Sequence, residues 1–412
     1  MNLLLNFLQN QADTEKMRER AHSADRPCAL LTPIVPIRFD EADSWFGGKP
    51  RLPKGISWPE QKGVPLHFAC QINLSQLPAG IWSGAGPRDG WLAVFVHPVG
   101  NAAEVLHIRG DIEERDGPGQ MGAEWARTYA SHAKETDLLP RWPVRIDEGR
   151  HARSIDTVSR RPSEAAWKDV KPDLANPALH PFDPKTLVVL LDSLEEFFIG
   201  QLKQICRFPA MKKLRENDLQ WMDETKALAF QSLEEFYKVE AILVSSRYRF
   251  DLKEVAAQLS KIAGLPTYEF NYLKDDEDGY CCLEYRSSRL CELPDISRSL
   301  PIWWSWYTSL LYWHGINAYT KDPASLHPAL RELMERIWLG ETLGHHGAMG
   351  HAPAGHLYTP HGPETDTEVL LELPTSSMQG WIWGDVYSIV LLIKRKALSQ
   401  GNFADIAIDI TN

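Results

Sequence analysis

The chain has 412 residues, a formal net charge of −11 and a pI near 5.7. That acidic balance excludes a general nucleic-acid binder, which needs clustered Lys and Arg for phosphates, and is compatible with a basic partner protein. Hydrophobic residues make up 43% and charged residues 24%, the proportions of a soluble globular chain long enough for two or three domains.

Residues 2–24 carry Leu3, Leu4, Leu5, Phe7 and Leu8, then a charged run to Arg20, which predicts one or two short amphipathic helices over the main sheet. Met1–Gln11 has no basic residue before its apolar run and is a poor secretory signal. No stretch approaches the ~20 apolar residues that span a bilayer. The cysteines Cys28, Cys70, Cys206, Cys281, Cys282 and Cys291 lack CxxC spacing, which predicts reduced thiols and a cytoplasmic location. Residues 29–38 are apolar and β-branched but contain Pro33 and Pro36, so a strand here is expected at a sheet edge.

Ser44–Pro78 is the most constrained stretch. Gly47 and Gly48 permit left-handed backbone, and Pro50, Pro53, Pro59, Pro65 and Pro78 fix φ, which predicts an ordered ribbon feeding a core strand around Cys70 and Gln71. Gly90–Pro98 reads as a second strand after a Gly/Pro-rich loop, and Ala103–Arg109 as a third in the same antiparallel meander.

The centre is different. Thr186–Cys206 could begin as a strand but continues with helical spacing at Leu194, Phe197, Phe198, Leu202 and Ile205, and helical patterns recur at 211–239 and 251–263. Two strands around Tyr268–Tyr272 and Gly279–Tyr285 flank the acidic run Lys274–Asp278. A calcium loop wants Gly sixth and acidic or amide oxygens at alternating positions; counting back from Gly279 puts Lys274 first, so a solvated hairpin turn is expected instead. Trp303, Trp304, Trp306, Tyr307, Tyr312 and Trp313 form an aromatic run read as core or interface, and Leu326–Leu339 predicts an amphipathic helix.

The last quarter echoes the first. Gly48 precedes Gln71 by 23 residues and Gly350 precedes Glu372 by 22, and each polar residue interrupts an apolar strand followed by a loop and another strand. The expected architecture is α+β: antiparallel sheets from two related β units around a helix-rich centre. The expected divisions are 1–28 (helical segment), 29–110 (first β unit), 111–340 (central insertion or subdomain) and 341–412 (second β unit).

The motifs Phe46-Gly47-Gly48-Lys49-Pro50, Leu52-Pro53, Trp58-Pro59, Gln71-Ile72-Asn73-Leu74-Ser75, Leu77-Pro78 and Gly90-Trp91-Leu92 resemble the YwqG-like family of uncharacterised bacterial proteins. Trp383-Gly384-Asp385, the run Tyr387–Ile393, Leu398 and Asn402-Phe403 resemble its closing segment. Where the family tends to carry a Gly-Gly-Tyr-Pro-like stretch, this chain reads His345-His346-Gly347-Ala348-Met349-Gly350-His351-Ala352-Pro353. The resemblance implies an α+β fold on antiparallel sheets without a settled activity, and some relatives are similar to components of bacterial toxin–immunity loci.

Chemical signatures are sparse. GxSxG, GxxxxGK[ST] and GxGxxG after a strand are all absent. His345, His346, His351, His356 and His361 could ligate zinc, helped by Glu364, Asp366 or Glu368, although no HExxH helix is present and His-rich loops are often solvated turns. Gln71 and Glu372 are candidates to line an inter-repeat cleft, with Trp383 and Asp385 beside them; alternate faces of a half-solvated strand would explain the polar pair equally well. Cys70 reads as a small buried residue. Trp45, Trp58, Trp82 and Trp91 are available to stack a ligand. The leading expectation is a non-enzymatic protein-binding module without a cofactor, its partner a protein such as a basic toxin that it neutralises. The alternative is a zinc-binding protein or metal-dependent hydrolase built on the 345–361 loop.

Overall fold

The computed structural model describes residues 27–97, 102–118, 139–149, 184–245, 251–292, 311–313, 315–343, 346–350, 357, 366–384 and 387–411. Two units emerge: Met1–Ser163, Thr320–Pro323 and Glu335–Asn412 form one, Glu164–Tyr319 and Ala324–Met334 the other. The first unit opens with β1 (Cys28–Pro33), β2 (Trp45–Phe46), β3 (Arg51–Leu52), β4 (His67–Asn73), β5 (Trp91–Val96), β6 (Ala103–Ile108), β7 (Glu113–Glu114) and β8 (Trp142–Gly149). Next come α1 (Pro184–Met211), α2 (Glu216–Ser245), α3 (Leu252–Ala263), the hairpin of β9 (Pro266–Asp275) and β10 (Cys281–Arg289), and α4 (Pro328–Glu341). The first unit closes with β11 (Ala348–Met349), β12 (Thr367–Pro374), β13 (Ser388–Lys394), α5 (Arg395–Ser399) and β14 (Ile406–Ile410). The fold is α+β, strand-rich at both ends and helical between, as the sequence patterns predict. The N-terminal helices expected over 2–24 lie outside the described residues, as do Trp303, Trp304, Trp306 and Tyr307.

Ten strands form one sheet in the order β14-β13-β12-β11-β1-β8-β2-β4-β5-β6, with antiparallel neighbours throughout. Outward from the central pair β1/β8 the order reads β11-β12-β13-β14 on one side and β2-β4-β5-β6 on the other. Each side is a short strand, a long buried strand and a meander.

β1 lies at the centre of this sheet and not at the edge expected from its prolines. Pro33 is its last residue, paired with Val144, and Pro36 falls beyond it, so neither missing N–H interrupts the ladder running from Cys28↔Gly149 to Pro33↔Val144.

Both halves bury their inner faces in a common core. Phe46, Cys70, Ile72, Leu92 and Val94 from one half meet Leu371, Leu373, Ile389, Leu391 and Ile393 from the other, with Trp381 and Trp383 among them. The edge strands β6 and β14 approach each other, and the His107 ring of β6 lies 5.7 Å from that of Phe403. Over the outer face of β2, β4 and β5 a second core gathers Trp45, Leu52, Leu66, Phe68, Ala93 and Phe95, with Trp58 edge-on to Phe95 at 5.2 Å. The Ser44–Pro78 ribbon supplies that layer, so β4 is buried on both faces along its whole length.

In the second unit α1 begins at Pro184, and no strand precedes it in the described residues. Leu187, Leu190, Leu191, Leu194, Phe198 and Ile205 recur at helical spacing and are buried, and a proline at the first helical position removes only an N–H that is unpaired anyway. α1 packs on α2, with the Phe198 and Phe236 rings 5.6 Å apart. The acidic run does form a hairpin turn: one Asp276 carboxylate oxygen accepts from the backbone N–H groups of Asp278 (3.0 Å) and Tyr280 (2.8 Å), and the other pairs with Arg215.

Two outcomes follow. Gly47 has φ +59°, and a Cβ there would lie 2.2 Å from the Pro140 carbonyl oxygen, whereas Gly55 has φ +87° and open space. Gly47→Ala should therefore cost about 3 kcal/mol or more in urea unfolding and Gly55→Ala about 1 kcal/mol. Burial, reinforced by His97, holds the His67 imidazole down to about 4. Its neutral form is favoured in the folded state, so stability is full above pH ~6.5 and falls as the pH drops towards 4, by at most about 3 kcal/mol. Urea melts at pH 7 and pH 4.5 should show that this loss shrinks in His67→Gln.

Candidate functional site

Gln71 sits in the middle of β4, directly across from Trp45 of β2 and Ala93 of β5. Residues opposite one another share a face, so its side chain points into the outer core under the ribbon. There its Oε1 accepts from the Arg51 backbone N–H at 2.9 Å and its Nε2 donates to the Arg51 carbonyl at 3.1 Å. The primary amide thus pairs with β3 as a neighbouring strand would, through one donor and one acceptor. Gln71 is 0% exposed; its polarity holds the ribbon to the sheet.

Glu372 occupies the matching place in the second half. It faces Ala348 of β11 and Val390 of β13, as Gln71 faces β2 and β5. A register shift falls at the same distance before each, between Phe68 and Cys70 in one half and between Val369 and Leu371 in the other. Glu372 is also 0% exposed, on the side of Val390, away from the core that the two halves share. Gln71 and Glu372 therefore look outward from that common core, each under its own half. Trp383 lies inside the core, its ring 5.9 Å from that of Trp381.

Asp385, His345, His351, His356 and His361 lie outside the described residues. His346 is buried, and its Nε2 is 2.6 Å from the Glu341 carbonyl oxygen, while the Ser377 hydroxyl donates to the Glu341 carboxylate at 3.3 Å. Among the described residues no three His, Cys, Asp or Glu side chains are grouped to hold a metal ion. Burial pushes the Cys70 thiol up, which keeps it protonated and unreactive.

All four tryptophans considered for ligand stacking spend their indole N–H on backbone carbonyls: Trp45 on Lys49 (3.2 Å), Trp58 on Leu66 (2.8 Å), Trp82 on Val369 (2.9 Å) and Trp91 on Asp43 (3.3 Å). Trp82 thereby ties the first half of the sheet to the second. Trp45 has a second role. The Arg51 and Arg141 guanidinium carbons lie 5.6 Å and 5.0 Å from its ring centroid, within cation–π range. Lys49 pairs with Asp116 at 2.7 Å, and Glu114 lies 3.8 Å from Lys49 and 3.6 Å from Arg141. Desolvation, and then the charge of Arg51, lowers the Arg141 guanidinium below its ordinary range, with Glu114 opposing. Sequence reasoning passed over this cluster. Lys49 and Arg51 flank Pro50 in plain view, but nothing local shows that Arg141 returns to them from β8's approach.

On the second unit, α2 carries a chain of exposed apolar side chains. Leu219, Phe230, Tyr237 and Val244 are between 39% and 46% exposed, and at 100° per residue they project within about 40° of one another. The helix also bears seven acidic side chains against two basic ones.

The described geometry defines an α+β protein whose sheet halves are related in strand order and register. Over residues 44–117 the chain matches a family model described as a domain of unknown function (DUF1963). That span takes in β2 to β7, including the ribbon, Gln71, Trp45, Lys49, Arg51, Glu114 and Asp116. No curated protein matches the chain.

The Gln71 clamp gives a direct expectation. Gln71→Leu keeps the volume but strands the Arg51 N–H and C=O beneath the ribbon, so urea unfolding should show a loss of about 2 kcal/mol. Proteolysis of the native protein should become faster within 49–66, where the ribbon loosens first.

Proposed function

We propose that the chain is a YwqG-like bacterial binding protein of the cytoplasm, without catalytic chemistry of its own, that holds a basic protein on α2. The observation that carries this reading is the row Leu219, Phe230, Tyr237 and Val244. Of fourteen large apolar side chains exposed among the described residues, these four share one flank of α2, while Leu228 and Ile242 project from its other sides. Scattered exposed apolar residues are ordinary, but four aligned along one flank of a helix mark a surface built to be covered.

Charge selects the occupant. Seven acidic against two basic side chains on α2 repel a second copy of the same helix and attract a cationic one. The partner is thus a basic protein presenting an apolar face, and a toxin neutralised by tight binding is the class that fits both this chemistry and the likeness to immunity-associated relatives. Tyr237 is already positioned, its hydroxyl donating to Glu195 at 2.7 Å, which raises the phenol to about 12 and keeps it neutral. Six unbridged cysteines agree with a reducing compartment, and among the described residues no helix is long and apolar enough to cross a membrane.

Phe230→Ser and Val244→Ser together test the reading. Both side chains are solvent-exposed, so the variant should unfold within about 1 kcal/mol of the wild type. From native lysate at low salt, the wild-type chain should retain a stoichiometric basic protein that is released as salt rises, and the variant should lose it at least tenfold. Recovery of no stoichiometric basic partner, or equal retention by the variant, would count against the proposal.

A further inference from the structure

We propose that Lys49, Arg51 and Arg141, gathered around the Trp45 indole, form a binding site for a phosphate group, free or carried as a monoester on a small molecule. The site lies on the first unit and is independent of the α2 surface.

Three observations point to it. Two guanidinium groups share one aromatic ring at 5.6 Å and 5.0 Å, yet among the described residues neither donates a hydrogen bond from its fork. The nearest carboxylate to Arg141 is Glu114 at 3.6 Å, beyond hydrogen-bond reach, and the Arg141 Nε is buried without an acceptor. Both forks therefore lie over one ring with their donors unspent.

The second observation is construction. The Arg141 stem lies over Gly48, where a Cβ would come within 2.7 Å of the Arg141 Cβ, and Phe39 covers the guanidinium at 5.1 Å. Arg51 is set by its backbone, clamped by Gln71 and paired across β3/β7 with Glu114. The Arg141 guanidinium is enclosed and the Arg51 backbone is anchored before any ligand arrives, which lowers the ordering cost of binding.

Charge balance is the third. Three cations face Glu114 and Asp116, so the cluster stays net positive in a chain whose total is −11. Lys49 is the movable member: its partner Asp116 is 82% exposed and can yield to a stronger anion. A carboxylate has two oxygens and one charge; a phosphate has enough oxygens and charge for two forks and an ammonium.

The test uses the full chain, with inorganic phosphate and glycerol phosphate as probes, by calorimetry at constant ionic strength in chloride. Saturable one-to-one binding of either probe is expected, and Arg51→Gln should weaken it at least tenfold. Because the fold contacts of Arg51 run through its backbone, this variant should keep the wild-type melting temperature. Arg109→Gln removes an equal charge from the exposed pair with Asp89 and should change binding less than twofold. Binding of glycerol phosphate alone would assign the site to an organic phosphate, and binding of both to the phosphate group itself. Absence of saturable binding to both probes, unchanged affinity in Arg51→Gln, or an equal loss in Arg109→Gln would overturn the proposal.

Discussion

A strand buried on both faces leaves no water for any polar group that comes near it, and β4 is such a strand. The ribbon that covers its outer face is rich in proline and pairs with itself only over the short hairpin of residues 60–61 with 64–65. Its backbone still has to be satisfied. Gln71 resolves this by offering a primary amide, the one neutral side-chain group that matches a peptide unit donor for acceptor, to Arg51. With Arg51 fixed, Leu52 enters the outer core, Pro50 accepts from the Arg115 N–H, and the β3/β7 pair closes the layer. The backbone position of Arg51 within the cation cluster depends on the same two hydrogen bonds.

The two halves of the sheet show which parts of this design are general. Both place a glycine with positive φ directly after the short strand, Gly47 at +59° and Gly350 at +74°, and both glycines donate their N–H to the long strand beside them, to Ala69 and Val369. Both crowd that glycine so that a Cβ would collide, with the Pro140 carbonyl in one case and the Ile81 side chain in the other. The long strands then carry a register shift and, two residues past the skipped position, a buried polar side chain. The partners differ: Gln71 faces a tryptophan, Glu372 an alanine. The backbone plan is repeated while the side chains that give it chemistry have diverged.

Much of this plan was legible in the sequence because glycine and proline report backbone directly. The order of ribbon, strand, loop and strand marked the repeat, and the register sets Gln71 and Glu372 at equivalent positions, but the counterpart of Gly350 is Gly47 and not the Gly48 that the spacing suggested. What periodicity could not supply was the environment of each residue. Gln71 reads equally well as a cleft residue or as the solvated face of a strand, and neither describes an amide bonded to a backbone 20 positions earlier. Pro33 suggested an edge strand because its place within the strand, at the very end, decides whether the missing N–H matters. Arg141 escaped notice because a cation–π contact across 96 residues leaves no local pattern. The same holds for α2: its helical spacing was readable, but which flank stays uncovered depends on α1 and β9.

Net charge describes the whole chain and not any one site. A total of −11 disfavours a long polyanion, since such a ligand samples the summed field of a whole surface. It says little about a single phosphate, which responds to charges within about a Debye length, roughly 8–10 Å at moderate salt. Within that radius two guanidinium groups share the Trp45 ring, whereas α2 is acidic along its length. Salt acts differently on these environments. Exposed carboxylates on a helix are screened readily, so attraction to a basic protein weakens steeply with ionic strength while the apolar row keeps its contribution. At Trp45 the Arg141 guanidinium is partly desolvated by Phe39 and by the ring beneath it, and a charge withdrawn from solvent is screened less. Opposite local charge on one acidic chain thus gives the two proposed sites different responses to ionic strength.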